Sequence, residues 1–118
     1  MGLTTVPVTI KSLDGKKVVS GDFLVDTGAS FTVIPQDMAQ KLSLKTDRVQ
    51  RFSLADGSIM KRNLGFALVE FEGQKSPSTV VIGEKDDSPL LGALSLEGMG
   101  LMVDPFSRKL RPMKLMLG

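Results

Sequence analysis

The chain has neither cysteine nor histidine in its 118 residues, and these two absences set the first limits on what it can do. Without cysteine there is no thiol nucleophile, disulfide framework, iron–sulfur cluster or thiolate zinc site. Without histidine there is no Ser-His-Asp triad and no histidine-held catalytic metal. Any catalysis must rest on carboxylates, hydroxyls, lysines or backbone amides. No uncharged run approaches the roughly 20 apolar residues that span a bilayer. The opening MGLTTVPVTIKS lacks the basic start and apolar centre of a secretory signal. No membrane contact and a cytoplasmic location are expected, and the missing cysteines permit that location.

What is present points to one compact domain over residues 1–118, since single cores commonly run to about 100–150 residues. The net charge is +2, but the excess is local: Arg108, Lys109, Arg111 and Lys114 close the chain without an acid. Nucleic-acid sites usually interleave aromatics with such charges, and no aromatic follows Phe106. The tail therefore reads as a solvated terminal strand, and no nucleic-acid partner is expected. Glu84, Asp86 and Asp87 lack the spacing of a calcium loop and read as a solvated loop. No metal and no cofactor are expected. The seven methionines, four of them from Met99 onward, read as adaptable packing or interface residues.

The hydrophobic pattern is that of many short strands. Val6–Ile10 alternates and is rich in β-branched residues. Asp14-Gly15 marks a hairpin turn, and a strand returns over Lys17–Val25 with a bend expected at Gly21. Further strands are predicted over 31–34, 49–54, 58–60, 63–72, 79–82, 101–104 and 109–115. Two helices are predicted, over 36–42 after Pro35 and over 92–97 with Gly98 as its stop. The reading is an all-β barrel or sandwich with one or two short helices.

One segment carries chemistry. In Phe23-Leu24-Val25-Asp26-Thr27-Gly28-Ala29-Ser30, an apolar strand delivers an acid into a tight turn, and Phe31-Thr32-Val33-Ile34 leads away. A carboxylate between apolar flanks needs hydrogen bonds from its surroundings, or it must stay protonated. Gly28 allows close backbone approach, and the Thr27 hydroxyl can bond to a neighbouring chain.

This segment resembles the active-site signature of aspartic proteases, and the resemblance extends downstream. Pro89-Leu90-Leu91-Gly92 before a short helix matches the family's apolar-apolar-Gly element, about sixty residues on. Between them, Leu54–Met60 forms a hairpin where the family carries its flap, here about residues 52–62. Order, spacing and length are similar to the retroviral-type (retropepsin-like) single-domain branch, in particular its small cellular and prokaryotic members. The resemblance spans roughly residues 6–112. It implies a closed β-barrel with a flap hairpin, acting as a two-fold homodimer.

Only one Asp-Thr-Gly or Asp-Ser-Gly occurs in the chain. The family's chemistry needs two carboxylates in contact, sharing a proton. One takes a proton from the attacking water while the other hydrogen-bonds the scissile carbonyl. A chain with a single such aspartate builds that pair only with a copy of itself. The resemblance thus implies Asp26 as acid/base, Thr27 linking the two loops across the dimer axis, and Gly28 beside the substrate backbone. Ala29 and Ser30, with Ala55, Asp56, Gly57 and Ser58 at the flap tip, are implied to bind an extended peptide or unfolded-protein segment. Val33, Ile59, Leu90 and Leu91 are candidates for side-chain pockets or for core. The flap is poorer in glycine than the viral pattern, and the chain has no tyrosine for a pepsin-like flap. Residues 108–118 are expected as a dimerisation strand, with Leu110, Met113, Leu115 and Leu117 forming an apolar tail.

Other readings stand beside these. Asp26 could be a turn aspartate capping its own loop, but its apolar flanks and the two downstream matches favour catalysis. Asp56-Gly57 alone would be an ordinary hairpin tip. The whole chain could be a catalytically silent barrel serving dimerisation or peptide binding, or a small nucleic-acid-binding barrel using the basic tail. Ala29 stands where many aspartic proteases carry a hydroxyl residue, and a methyl removes a donor to the ionised carboxylate. Activity is therefore expected to peak at mildly acid or neutral pH; a pH–rate profile peaking below pH 3 would contradict this.

Overall fold

The computed structural model describes residues 4–114, 116 and 117. Among these residues the order is β1 Thr4–Lys11, β2 Val18–Val25, β3 Thr32–Ile34, α1 Gln36–Lys41, β4 Arg48–Ser53 and β5 Ile59–Phe71. It continues with β6 Gln74–Ile82, β7 Leu90–Leu91, α2 Ala93–Gly98, β8 Leu101–Val103 and β9 Leu110–Pro112. The domain is strand-rich with two short helices, as the turn-punctuated sequence predicts.

Seven strands form one sheet in the order β1-β2-β7-β3-β6-β5-β4, and β8-β9 form a second. β1 also pairs with β5, Thr9 opposite Glu70 and Lys11 opposite Leu68, so the run of pairings returns to its first strand. Alternate residues of the curved strands point inward: Val6, Val8 and Ile10 from β1, Phe23 and Val25 from β2, and Ala67, Val69 and Phe71 from β5. Leu42, Leu96 and Met99 cover them from the helical side. The two-residue β7 lies between β2 and β3, parallel to the first and antiparallel to the second. That insertion places Leu90-Leu91 behind the turn that follows β2.

Several expectations are corrected. The strands predicted over 58–60 and 63–72 are one strand, β5 Ile59–Phe71, because Lys61 and Arg62 continue the extended register opposite Arg51 and Gln50. The strand predicted at 79–82 begins at Gln74. Pro77 is accommodated where β6 has β5 alone as neighbour, the edge position that tolerates a missing N–H. Its hairpin turn is Glu72-Gly73, with φ of 47° and 83°, a primed turn matched to strand twist.

Gly21 does not bend β2, whose register with β1 runs unbroken from Val18 to Val25. Its missing side chain instead makes room for the Met38 methyl from α1. Gly98 is likewise a packing residue, since a Cβ there would fall on the Ser76 side chain. The left-handed residue that ends α2 is Gly100, at φ 69°. The last strand is shorter than expected: β9 pairs with β8 of the same chain, and Leu115 lies outside the described residues.

Alanine usually stabilises a helix interior relative to glycine by about 1 kcal/mol. Gly98→Ala is expected to do the reverse, lowering stability by about 1–3 kcal/mol through overpacking against Ser76. Urea unfolding measures this, and a variant as stable as the parent would show that the packing reading is wrong.

Candidate active site

The turn after β2 is built from its backbone outward. Phe23 and Val25 are buried, so the strand cannot rotate, and Asp26 emerges half-buried at its end. The Asp26 N–H donates to the Leu91 carbonyl at 3.0 Å, and the Leu24 N–H to Pro89 at 3.2 Å. From the other side, the Ala93 and Leu94 N–H groups donate to the carbonyls of Ala29 at 2.8 Å and Ser30 at 3.1 Å. The loop 26–30 is thus clipped at both ends to residues 89–94. A Cβ on Gly92 would stand 2.5 Å from the Phe31 carbonyl, so only glycine fits there. Within the turn, the Gly28 N–H donates to Asp26 Oδ1 at 2.9 Å. The carboxylate therefore has a fixed donor and an orientation.

Behind the loop runs a chain of hydroxyls that the sequence does not announce. The Gly92 N–H donates to Thr32 Oγ1 at 3.1 Å, and that hydroxyl donates to Ser95 Oγ at 2.7 Å. Ser95 donates to Ser78 Oγ at 3.0 Å, and Ser78 to the Ser76 carbonyl at 3.2 Å. All four side chains are buried. Each hydroxyl is satisfied, and head-to-tail bonds strengthen one another in a low-dielectric interior. The chain ties β3, α2 and β6 to the Gly92 that backs the catalytic-type turn.

Two hollows flank the turn. A cleft of about 530 Å³ is floored by Gly28, Ala29 and Ser30. Its apolar walls come from Phe31, Val33, Val81 and Leu90, with Phe52 and Met60 from the β4–β5 hairpin. Phe31 and Phe52 meet edge to face, with ring centroids 6.2 Å apart. Arg62, Asp87 and Ser88 complete the lining. Thr27, one residue from Gly28, borders a different hollow of about 340 Å³ with Leu96, Leu101, Met102, Val103 and Met113.

The predicted residues are thus distributed. Gly28, Ala29 and Ser30 share the cleft, Thr27 borders the other hollow, and Asp26, adjacent to them in the turn, lines neither. Ala55, Asp56, Gly57 and Ser58 are exposed at the hairpin tip and do not line the cleft. Asp56 Oδ1 accepts the Ser58 N–H at 2.9 Å and its hydroxyl at 2.5 Å, and Gly57 adopts φ 87°. These bonds hold the Asp56 carboxyl below the usual carboxylate range. Of the pocket candidates, Val33 and Leu90 line the cleft. Leu91 is wholly in the core, and Ile59 points to solvent.

Sequence reasoning missed Arg62 and misread Asp87 as solvated. Arg62 Nε donates to Asp87 Oδ2 at 2.7 Å and Nη2 to Oδ1 at 3.0 Å, a two-pronged pair. The available signal was the period of two that puts Met60 and Arg62 on one strand face. Among the described residues no cluster of acidic side chains is placed to hold a metal, and no helix is long and apolar enough to cross a membrane.

A family model described as aspartyl protease matches residues 6–94. No curated protein matches the sequence. A retropepsin-like aspartic protease from Rickettsia conorii is similar in structure, with a TM-score of 0.54 and 25% identity, over 88% of this chain and 90% of that one. The simian foamy virus (mac) protease shares the fold at a TM-score of 0.53 and 14% identity, over 78% of this chain and 92% of that one.

The Arg62 guanidinium holds the Asp87 carboxyl below its ordinary 3.8. A carboxyl lowered on folding adds stability that is fully present above its unfolded value and is lost as pH falls through its folded one. The parent is therefore expected to lose thermal stability below about pH 4 more steeply than Asp87→Asn. Melting curves across that range test this, and parallel acid limbs would contradict it.

Proposed function

This chain belongs to the aspartyl protease family, with a retropepsin-like fold, and we propose that it cleaves peptide bonds as a homodimer in which each subunit supplies one Asp26. The observation that carries the proposal is the turn itself. A single carboxylate, gripped by Gly28 and by the Leu91 carbonyl through its own backbone, stands at the end of an apolar strand beside a peptide-sized cleft. One such aspartate is half of the required pair, and a second copy of the chain supplies the other.

In the assembled pair one carboxyl is protonated and the other ionised. The ionised member removes a proton from water as it attacks the scissile carbonyl, and the protonated member hydrogen-bonds the carbonyl oxygen. Proton return to the departing amine completes hydrolysis. Gly28, Ala29 and Ser30 run beneath the substrate, and the β4–β5 hairpin over 52–62 serves as the flap, with Ala55 to Ser58 at its tip. The peptide is held chiefly by strand-like main-chain bonds. The β1–β5 pairing supports reading the sheet as a closed barrel, and residues 1–118 as one domain. No cofactor or metal takes part.

The direction of Thr27 supports a place for the partner. Its hollow is edged by Met102 and Met113 and lies on the other side of the turn from the cleft. β9 is already paired within the subunit, so among the described apolar residues of the 108–118 segment it is Met113 and the exposed Met116 and Leu117 that are offered to a second copy. The second reading, a silent barrel that binds peptides without cleaving them, keeps the cleft and dispenses with the pair.

Cleavage of an unfolded protein or peptide library is expected from the parent. It should fall by about a hundredfold to ten-thousandfold in Asp26→Asn, as when an acid–base group is removed, and stop with an aspartic-protease inhibitor. Met102→Lys is expected to shift sedimentation toward monomer and to lower activity in step. Cleavage that survives Asp26→Asn, or full activity from a strictly monomeric protein, would overturn the proposal.

A further inference from the structure

Arg62 and Asp87 are the ionisable side chains in the cleft lining, and they meet there in direct contact from different elements. Arg62 comes from β5, within the hairpin, and Asp87 from the loop that precedes β7. The guanidinium is largely spent on the protein. Nε and Nη2 go to Asp87, and Nη1 donates to the Lys61 carbonyl at 2.8 Å and lies 3.5 Å from Glu84 Oε1. The carboxylate is equally committed, because Asp87 Oδ2 also accepts the Glu84 N–H at 2.8 Å. Both side chains are mostly withdrawn from solvent, at 15% and 22% exposure. A screened, exposed pair would be mobile, whereas a withdrawn two-pronged pair keeps its geometry.

We propose that the Arg62–Asp87 pair sets which peptide side chains the cleft accepts: paired, the two present a neutral wall, and either one alone selects the opposite charge. This rests on the cleft being the peptide site. Apart from the hydroxyls of Ser30 and Ser88, the remaining side chains are those of Ala29, Phe31, Val33, Phe52, Met60, Val81 and Leu90, which offer a charged substrate side chain no compensating charge for lost water. A substrate carboxylate meets an arginine with three of its five N–H donors already engaged and its charge already matched, and a substrate lysine meets a carboxylate already neutralised. Each charged side chain must break the internal pair before it can be paired itself, so the parent cleft rejects both signs. Specificity here comes as much from what the pair denies as from what the apolar walls attract.

The test is a charge cycle read by binding as well as by cleavage. Three matched peptides carry leucine, glutamate or lysine at the residue seated in the cleft. Their affinities are measured for the Asp26→Asn protein and their cleavage for the protein with Asp26 intact. The leucine peptide is expected to be preferred by the parent. Asp87→Asn, which frees the guanidinium, is expected to improve the glutamate peptide relative to leucine by about tenfold, equivalent to about 1.4 kcal/mol. Arg62→Met is expected to improve the lysine peptide similarly, and the double variant to return to leucine. A melting curve on each variant identifies any that fails to fold, and the other single variant then carries the comparison. Preferences unchanged in a folded single variant would overturn the proposal. Absence of cleavage alongside the expected affinity changes would instead defeat the proteolytic reading and leave this one standing.

Discussion

The hydrogen bond from the Asp26 N–H to the Leu91 carbonyl is the constraint from which the rest of the site follows. A carboxylate at the mouth of an apolar core is a costly object, and its position has to be held by groups that cannot move. Leu91 is fully buried in the core, so its carbonyl is as fixed as any atom in the molecule. Gly92 then lets the chain pass against Phe31 without a side chain, and α2 returns two N–H groups to the far side of the turn. Local sequence, strand insertion and backbone satisfaction are one arrangement here. None works without the others.

The buried hydroxyls extend that arrangement inward. Thr32, Ser95, Ser78 and Ser76 occupy positions where a small domain would ordinarily gain from apolar packing. Their bonds run in one direction, from the Gly92 amide to the far end of β6, and they join elements distant in sequence. Hydrophobic contact would fill the same space but would tolerate sliding. A directed chain of hydrogen bonds fixes register, which suits a backing for a turn that holds a carboxylate in one place. Outside this backing the turn divides its duties: Gly28 to Ser30 face the cleft, and Thr27 faces the second hollow.

Much of this was legible in the residues. Alternation and Asp-Gly turns were enough for an all-β domain, and the apolar flanks of Asp26 marked it out before any fold was known. What escaped had physical reasons. The charged Lys61-Arg62 pair looked like a break in β5 because this part of the strand is paired with β4 alone and has no fully buried residue to mark it as sheet. Gly21 and Gly98 looked like punctuation, yet each is small because Met38 or Ser76 needs its space. The Ser76–Ser78–Ser95–Thr32 chain links residues up to 63 positions apart, and no local pattern reports such a meeting. Asp87 looked solvated because it lies in a loop and its partner is 25 residues earlier, on β5.

The undivided length of β5 has a mechanical meaning. Toward its start the strand has β4 alone as neighbour, and toward its end it is held by β6 and by β1. Asn63 and Leu64 are gripped from both sides, by Val49 and Arg48 on one and by Ile82 and Val81 on the other. They act as a fulcrum. Whatever lifts or lowers the hairpin tip bears on Leu64 and Ala67, which are wholly enclosed. The hairpin that walls the cleft through Phe52 and Met60 and the centre of the domain are therefore joined by one continuous strand, so a change of packing at Leu64 or Ala67 is carried directly to the cleft wall.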